Sequence, residues 1–442
     1  MMSHQRAPHL PTRPAGRRAL AACLAVGSFV LSCHAGCRRT AAGEPGTDAA
    51  GTAATAPGKV VAGSPPAAWV RPPLIDFHGH LSLDGLDRLV QIMNENGIER
   101  IVNLSGGSYR RGPQAWAEAK FLADQLGGRV LNFFNPDWTA VDEAGWGARE
   151  TERLQVAVER FGFRGVKISK GLGLGVTDAA DRLLRPDDAR LQPLWRKAAE
   201  LGVPVSIHVA DPRAFWWPLD PRNERWDELK AHPYWTYHGR PEVPSWAELL
   251  QAAERLYRQN PRTIFVAVHF GNCGEDLAYV DGLLERNQNV FIDLAARVGE
   301  FGRHPADSVR AFFVKYRDRI VFGTDIGVGA DGLMLGSNGE VEPTLADVKP
   351  FYDAHWRYLE TADKQIAHPS PIQGGWKIDG AAIPRDVLTQ VYRGNATQLL
   401  DRAWVLQRQK TQPESALPPA EVPAPAPGNP PPELAEVPTG TQ

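Results

Sequence analysis

From Arg71 onward the chain alternates short apolar runs with longer amphipathic stretches. Residues 74–77, 98–104, 130–134, 163–168, 203–207, 263–268, 290–293 and 320–322 are four- to seven-residue runs rich in Val, Ile, Leu and Phe or a trio such as IVF, and they read as buried strands. Between them residues 86–96, 115–126, 152–160, 191–201, 246–259, 277–286 and 308–316 carry apolar side chains at helical spacing, and Gly97 and Gly127-Gly128 supply stop signals. Eight strand-then-helix units in succession predict a parallel α/β fold, the (β/α)8 TIM barrel. Two connections exceed what such a barrel needs: residues 211–245 after the fifth strand and 326–384 after the eighth, the latter with one helix predicted near 352–361.

The two ends do not share this pattern. Arg13, Arg17 and Arg18 precede an apolar run from Ala19 to Leu31, too short for a membrane span but suited to a signal peptide. Val30-Leu31-Ser32-Cys33 resembles the lipobox of a bacterial lipoprotein, which makes Cys33 the expected lipidation site, with Cys37 the weaker candidate. The expected division is therefore a leader over 1–39, an Ala/Gly/Pro/Thr linker over 40–70, the barrel over 71–405 and a Pro-rich tail over 406–442. This organisation places the barrel outside the cytoplasm as a lipoprotein facing the periplasm or cell exterior. A cleaved signal peptide is the alternative. Three of the four cysteines fall in the leader and Cys273 is alone in the body, so no disulfide framework is expected. A net charge of -2 and the absence of a basic run in the body argue against nucleic acid as a partner.

The chemistry concentrates where predicted strands end, which in a parallel barrel is the catalytic face. The first strand runs into His78-Gly79-His80, whose two imidazoles can share a metal ion. Twelve histidines in 442 residues give roughly 0.3 such pairs by chance, so position carries the weight. Asp76 is placed to orient an imidazole. The fifth strand runs into His208, the sixth into His269 and the eighth into Asp325. Each has a bland reading as a core or turn residue, but five such groups at one end of the strands point to a metal site.

Asp76-x-His78-x-His80, His208 closing VPVSIH, His269 closing FVAVHFGN, Asp325 in FGTD and the closing YRGNATQLL together resemble the amidohydrolase superfamily over residues 72–402. They resemble most the amidohydrolase-related branch with aminocarboxymuconate-semialdehyde decarboxylase and pyrone-dicarboxylate lactonase. The resemblance implies that His78, His80, His208 and Asp325 hold one divalent ion, zinc, with His269 beside the water that the ion activates and Asp325 as its base. Two-metal members carry a carboxylated lysine on strand four, near Lys167, but one metal is favoured here.

Lys167 and Lys170 are then read as substrate-facing ammonium groups. Arg297, past the seventh strand, and Arg222 and Arg225, in the aromatic-rich loop 211–245, are candidates to bind an anionic small-molecule substrate. The expected function is a metal-dependent hydrolase of a small ester, lactone or amide. A nonoxidative decarboxylase is the second enzyme reading, and a binding protein that retains the metal without turnover is the third.

Overall fold

The computed structural model describes residues 69–105, 113–330 and 332–412. Cys33, the leader, nearly all of the linker and the tail beyond 412 lie outside the described residues. Eight strands appear in the expected order: β1 Leu74–Leu81, β2 Ile98–Asn103, β3 Val130–Phe134, β4 Gly165–Ile168, β5 Val205–Ile207, β6 Phe265–Ala267, β7 Val290–Asp293 and β8 Ile320–Val321. Each pairs in parallel with the next. The first and eighth are joined as well: Phe77 N donates to Phe322 O at 2.8 Å and Asp325 N to His78 O at 2.9 Å. Beyond Asp325 the chain continues as β9, Ile326–Val328, parallel to the end of β1. The seam is tight because Gly323 lies against His78, where an added Cβ would meet the His78 Cβ at 3.0 Å.

Asp76 serves this seam. Its carboxylate accepts from Thr324 N (3.1 Å), Thr324 Oγ1 (2.6 Å), Tyr352 Oη (2.8 Å) and His78 N (3.1 Å), so it ties β1 to the eighth strand and orients no imidazole, contrary to the expectation. Burial pushes its pKa up to about 6 despite those donors.

Inside the barrel Ile75, Phe77, Val102, Phe133, Val266, Phe291 and Val321 form one apolar cluster, closed from below by Ala396, Leu399 and Val405 of the C-terminal helices Asn395–Leu399 and Arg402–Gln409. A second, larger layer packs the outer faces of the strands against the helices. The pairing of β1 with β2 shifts register between Asp76 and Gly79. Phe77 therefore stays in the inner cluster while its neighbour His78 also reaches polar groups of the barrel mouth.

The loop after β5 folds into three short helices, Arg213–Trp216, Trp226–Ala231 and Pro233–Trp235. The loop after β8 holds a helix, Leu345–Glu360, that begins earlier than predicted. Thr344 and Asp347 form a capping box, and Pro350 is accommodated inside the helix instead of marking its start. Among the described residues no helix is long and apolar enough to cross a membrane.

Candidate metal centre and active site

Every strand end named above delivers a side chain to the mouth, and the hydrogen bonds behind each ring determine what it offers there. His78 is fully buried, and its Nδ1 lies 2.7 Å from Asp293 Oδ2, the carboxylate that closes β7. His80 Nδ1 lies 2.6 Å from Ser105 Oγ. His269 Nδ1 is 2.9 Å from the Ala295 carbonyl, which can only accept, so that nitrogen carries the proton and Nε2 holds a lone pair. The Asp293 carboxylate fixes His78 in the same tautomer. Burial lowers the pKa of His78, His208 (to about 4) and His269, so these rings are neutral.

Asp325 Oδ1 lies 3.3 Å from Nε2 of His78 and 3.3 Å from Nε2 of His80. Burial opposes its ionisation, but the polar surroundings, the Lys167 ammonium among them, outweigh burial and hold the carboxyl below the usual range. The donor atoms of His78, His269 and Asp325 all lie within 4.8 Å of one another. His208 packs edge-on to His269 with ring centroids 4.3 Å apart, and its buried Nε2 has no hydrogen bond, its neighbour Asp211 Oδ1 being at 3.5 Å. Imidazole lone pairs directed at one carboxylate repel unless a cation or proton lies between them. These neutral and anionic N/O donors suit a divalent metal ion. The tightest three include His269 where the expected ligand set has His208.

Backbone strain accompanies this arrangement. His269, Phe270 and Asp325 all adopt left-handed conformations, with φ of 56°, 55° and 64°. Non-glycine residues held there cost roughly 1–3 kcal/mol each, and the turn they make points His269 and Asp325 across the mouth.

A cavity of about 110 Å³ opens beside His208, His269 and Asp325, walled by Phe215 and Trp235 of the β5 loop. A wider groove of about 680 Å³ leads past His80 and Ser105. Lys170, Arg225 and Arg297 line the smaller cavity. Lys170 Nζ donates to Asp211 Oδ2 at 2.6 Å and lies 5.4 Å from the Trp235 ring. Arg225 is fully buried and paired with Glu228 at 2.8 Å and with Glu300. Arg222 is not brought to the site: its guanidinium engages Asp220 at 2.7 Å on the surface, half exposed. Lys167 also departs from the expectation. It does not line the cavity; its Nζ lies 3.5 Å from His78 Nε2, and burial lowers its pKa to about 8 against the pull of Asp325 and Asp293.

Two carboxylates that organise the site were not among the predicted residues. Asp293 accepts from His269 N (2.7 Å) and Ala295 N (3.1 Å) on Oδ1 while Oδ2 holds His78. Asp211 accepts from Lys170 and, at 2.8 Å, from Tyr237 Oη, linking the β5 loop back to its strand. Asp293 ends a strand as Asp325 nearly does, and that position was its available signal. Nothing local to Asp211 pairs it with Tyr237.

A search among curated proteins found no match. Several solved structures align with the chain. A 2,6-dihydroxybenzoate decarboxylase complexed with 2,6-dihydroxybenzoate is 16% identical, with 74% of this chain and 97% of that one covered and a TM-score of 0.44. A 4-oxalomesaconate hydratase from Rhodopseudomonas palustris is 13% identical, covering 76% and 98% with a TM-score of 0.43. A 5-carboxyvanillate decarboxylase from Novosphingobium aromaticivorans, solved with bound manganese and a nitrobenzoic acid, is 12% identical, covering 74% and 96% with a TM-score of 0.41. A family model described as amidohydrolase matches residues 75–402, the whole span from the first strand to the helices that close the barrel, and by that match the chain belongs to the amidohydrolase family.

Proposed function

We propose that the protein is a metal-dependent hydrolase of a small ester, lactone or amide. The observation that carries this reading is the position of the Asp325 carboxylate, 3.3 Å from Nε2 of both His78 and His80 and on the wall of a cavity open to a small substrate. His78, His80, His208 and Asp325 would hold one divalent ion, zinc, and the closeness of His269 to His78 and Asp325 makes it a further donor to the same place. Bound there, the ion supplies Lewis-acid polarisation and brings the pKa of a water near 7.

The chain's own groups supply the rest. Asp325, ionised, takes the proton from the attacking water. His269, with Nδ1–H committed to Ala295, presents a lone pair at Nε2 that can accept a hydrogen bond from the attacking water and orient it, while the proton taken by Asp325 passes on to the leaving group. Asp293 holds the His78 ring in place, and Phe215 and Trp235 narrow the cavity and limit water in it. We further propose that Cys33 is acylated, so that the enzyme works on a tether outside the cytoplasm.

Nonoxidative decarboxylation is the second reading, because Lys170 and Arg297 on the same cavity wall can seat a carboxylate. Turnover in ¹⁸O-labelled water separates the two. Hydrolysis puts label into a new carboxylate; unlabelled product with release of carbon dioxide overturns the proposal in favour of decarboxylation.

A further inference from the structure

Arg297 follows β7 and is 5% exposed, on the wall of the cavity that also holds His208, His269 and Asp325. A guanidinium this well buried is ordinarily matched by a carboxylate, since a lone buried charge is strongly destabilising. Here the match is missing. Arg297 Nη1 donates to the main-chain carbonyl of Ala296 at 2.7 Å, and among the described residues the one carboxylate within 4 Å is Glu300, 3.9 Å from Nε and beyond hydrogen-bond reach.

Three of the nearby acids, Glu228, Glu300 and Asp211, are engaged elsewhere. Arg225, fully buried, takes Glu300 with one arm and Glu228 with the other, and Glu228 also accepts from the Ser337 hydroxyl. Asp211 is held by Lys170 and Tyr237. Arg225 comes from the β5 loop and Ser337 from the β8 loop, so two long insertions hold Glu228 and Glu300; Glu275, whose Oε1 accepts from Arg213 N at 3.0 Å while its buried Oε2 has no hydrogen bond, adds negative charge near Arg297 without forming an ion pair with it.

We infer that Arg297 binds an anionic group of the substrate, a planar carboxylate distinct from the bond that reacts, and so restricts the enzyme to small carboxylate-bearing compounds. A guanidinium presents donors in a fork that fits a carboxylate bidentately, and a desolvated setting strengthens each bond. A cavity of about 110 Å³ admits only a compact body beyond that group. Arg225 is a positioning residue in this arrangement: it withholds Glu300 from Arg297.

The inference rests on the reading of this cavity as the substrate site, but its test needs no turnover. Propionate, butyrate and benzoate, each against its primary amide, are titrated into the metal-loaded protein by calorimetry, with quenching of tryptophan fluorescence as a second readout because Trp235 lines the cavity. The acids should bind roughly 10- to 100-fold more tightly than the amides, the scale of a charge-assisted pair. Arg297→Gln should erase that preference and Arg297→Lys restore part of it. Equal binding of acids and amides to the unaltered protein overturns the inference whether or not the variants fold. So does acid binding that survives Arg297→Gln and is lost in His78→Ala, which would put the anion on the metal. Tight, Arg297-dependent acid binding without any hydrolysis would leave this inference standing and count against the hydrolase alone.

Discussion

The carboxylate of Asp293 offers the sharpest test of how the centre is held. Its Oδ1 accepts two main-chain N–H groups, from His269 at 2.7 Å and Ala295 at 3.1 Å, and its Oδ2 meets His78 Nδ1 at 2.7 Å. In Asp293→Asn the amide oxygen must stay with the two main-chain donors, so the NH₂ is forced onto His78. Donor then faces donor. The ring either breaks the contact or moves its proton to Nε2, and with the proton there His78 has no lone pair to give a metal. The lost charge-assisted bond is worth about 1.5–3 kcal/mol, and substitution behind a metal-bound histidine commonly weakens affinity 10- to 100-fold. We therefore expect Asp293→Asn to bind zinc or manganese roughly 10- to 100-fold more weakly in chelator competition, with turnover falling in parallel at subsaturating metal. Melting of the metal-free variant should stay cooperative, because the main-chain contacts survive. If the variant holds metal as tightly as the parent, either His78 is not a ligand or Asp293 does not set its tautomer, and the assignment built on both fails.

The remaining predictions are these. His269→Asn should cut turnover roughly 10²-fold, the scale of a lost acid–base partner; retained metal keeps His269 as a chemical group, whereas metal lost with the side chain makes it a ligand. His355, 1% exposed with Nδ1 2.8 Å from the Phe351 carbonyl, has its pKa lowered to about 4 by burial, so the unfolded chain takes up its proton first as pH falls. The stability this residue permits is present above pH 6.5 and is lost towards pH 4. In metal-free protein His355 should contribute about 2 kcal/mol of the stability lost between pH 7 and pH 5 by urea unfolding, beside what the buried histidines of the mouth add, and His355→Leu should remove that increment; an unchanged pH slope in the variant would refute the assignment. Cys33→Ala should move the protein from the membrane fraction to the soluble one, and unchanged membrane association would redirect attention to Cys37 or another anchor.

Much of this centre could be read from the chain because a barrel turns a one-dimensional signal into a three-dimensional one. Apolar runs mark strands, a strand's last residue marks the mouth, and His208, His269 and Asp325 each follow such a run by no more than a few positions. Asp293 satisfies the same rule, yet a carboxylate at the end of VFID also reads as an ordinary strand terminus. Arg222 was misleading for the opposite reason. A cation in an aromatic loop looks available, but Asp220, two residues earlier, captures it on the surface.

What the chain could not disclose is which nitrogen each ring presents and which charge is left over. The tautomer of His78 is set by a residue 215 positions away and that of His269 by a main-chain carbonyl 26 positions away, contacts to which hydrophobic periodicity is blind. The same holds for Arg225 and Arg297. In sequence they are two equivalent arginines near the mouth; in the fold one is consumed by Glu228 and Glu300 and the other keeps only a carbonyl. Residue type and strand position thus identify the groups at the site. Their roles as ligand, orienting acid or anion receptor follow from what each is bonded to behind the mouth, and for that reason Asp293→Asn and Arg297→Gln, which alter one partner and leave the inner apolar cluster untouched, are the substitutions best suited to test those roles.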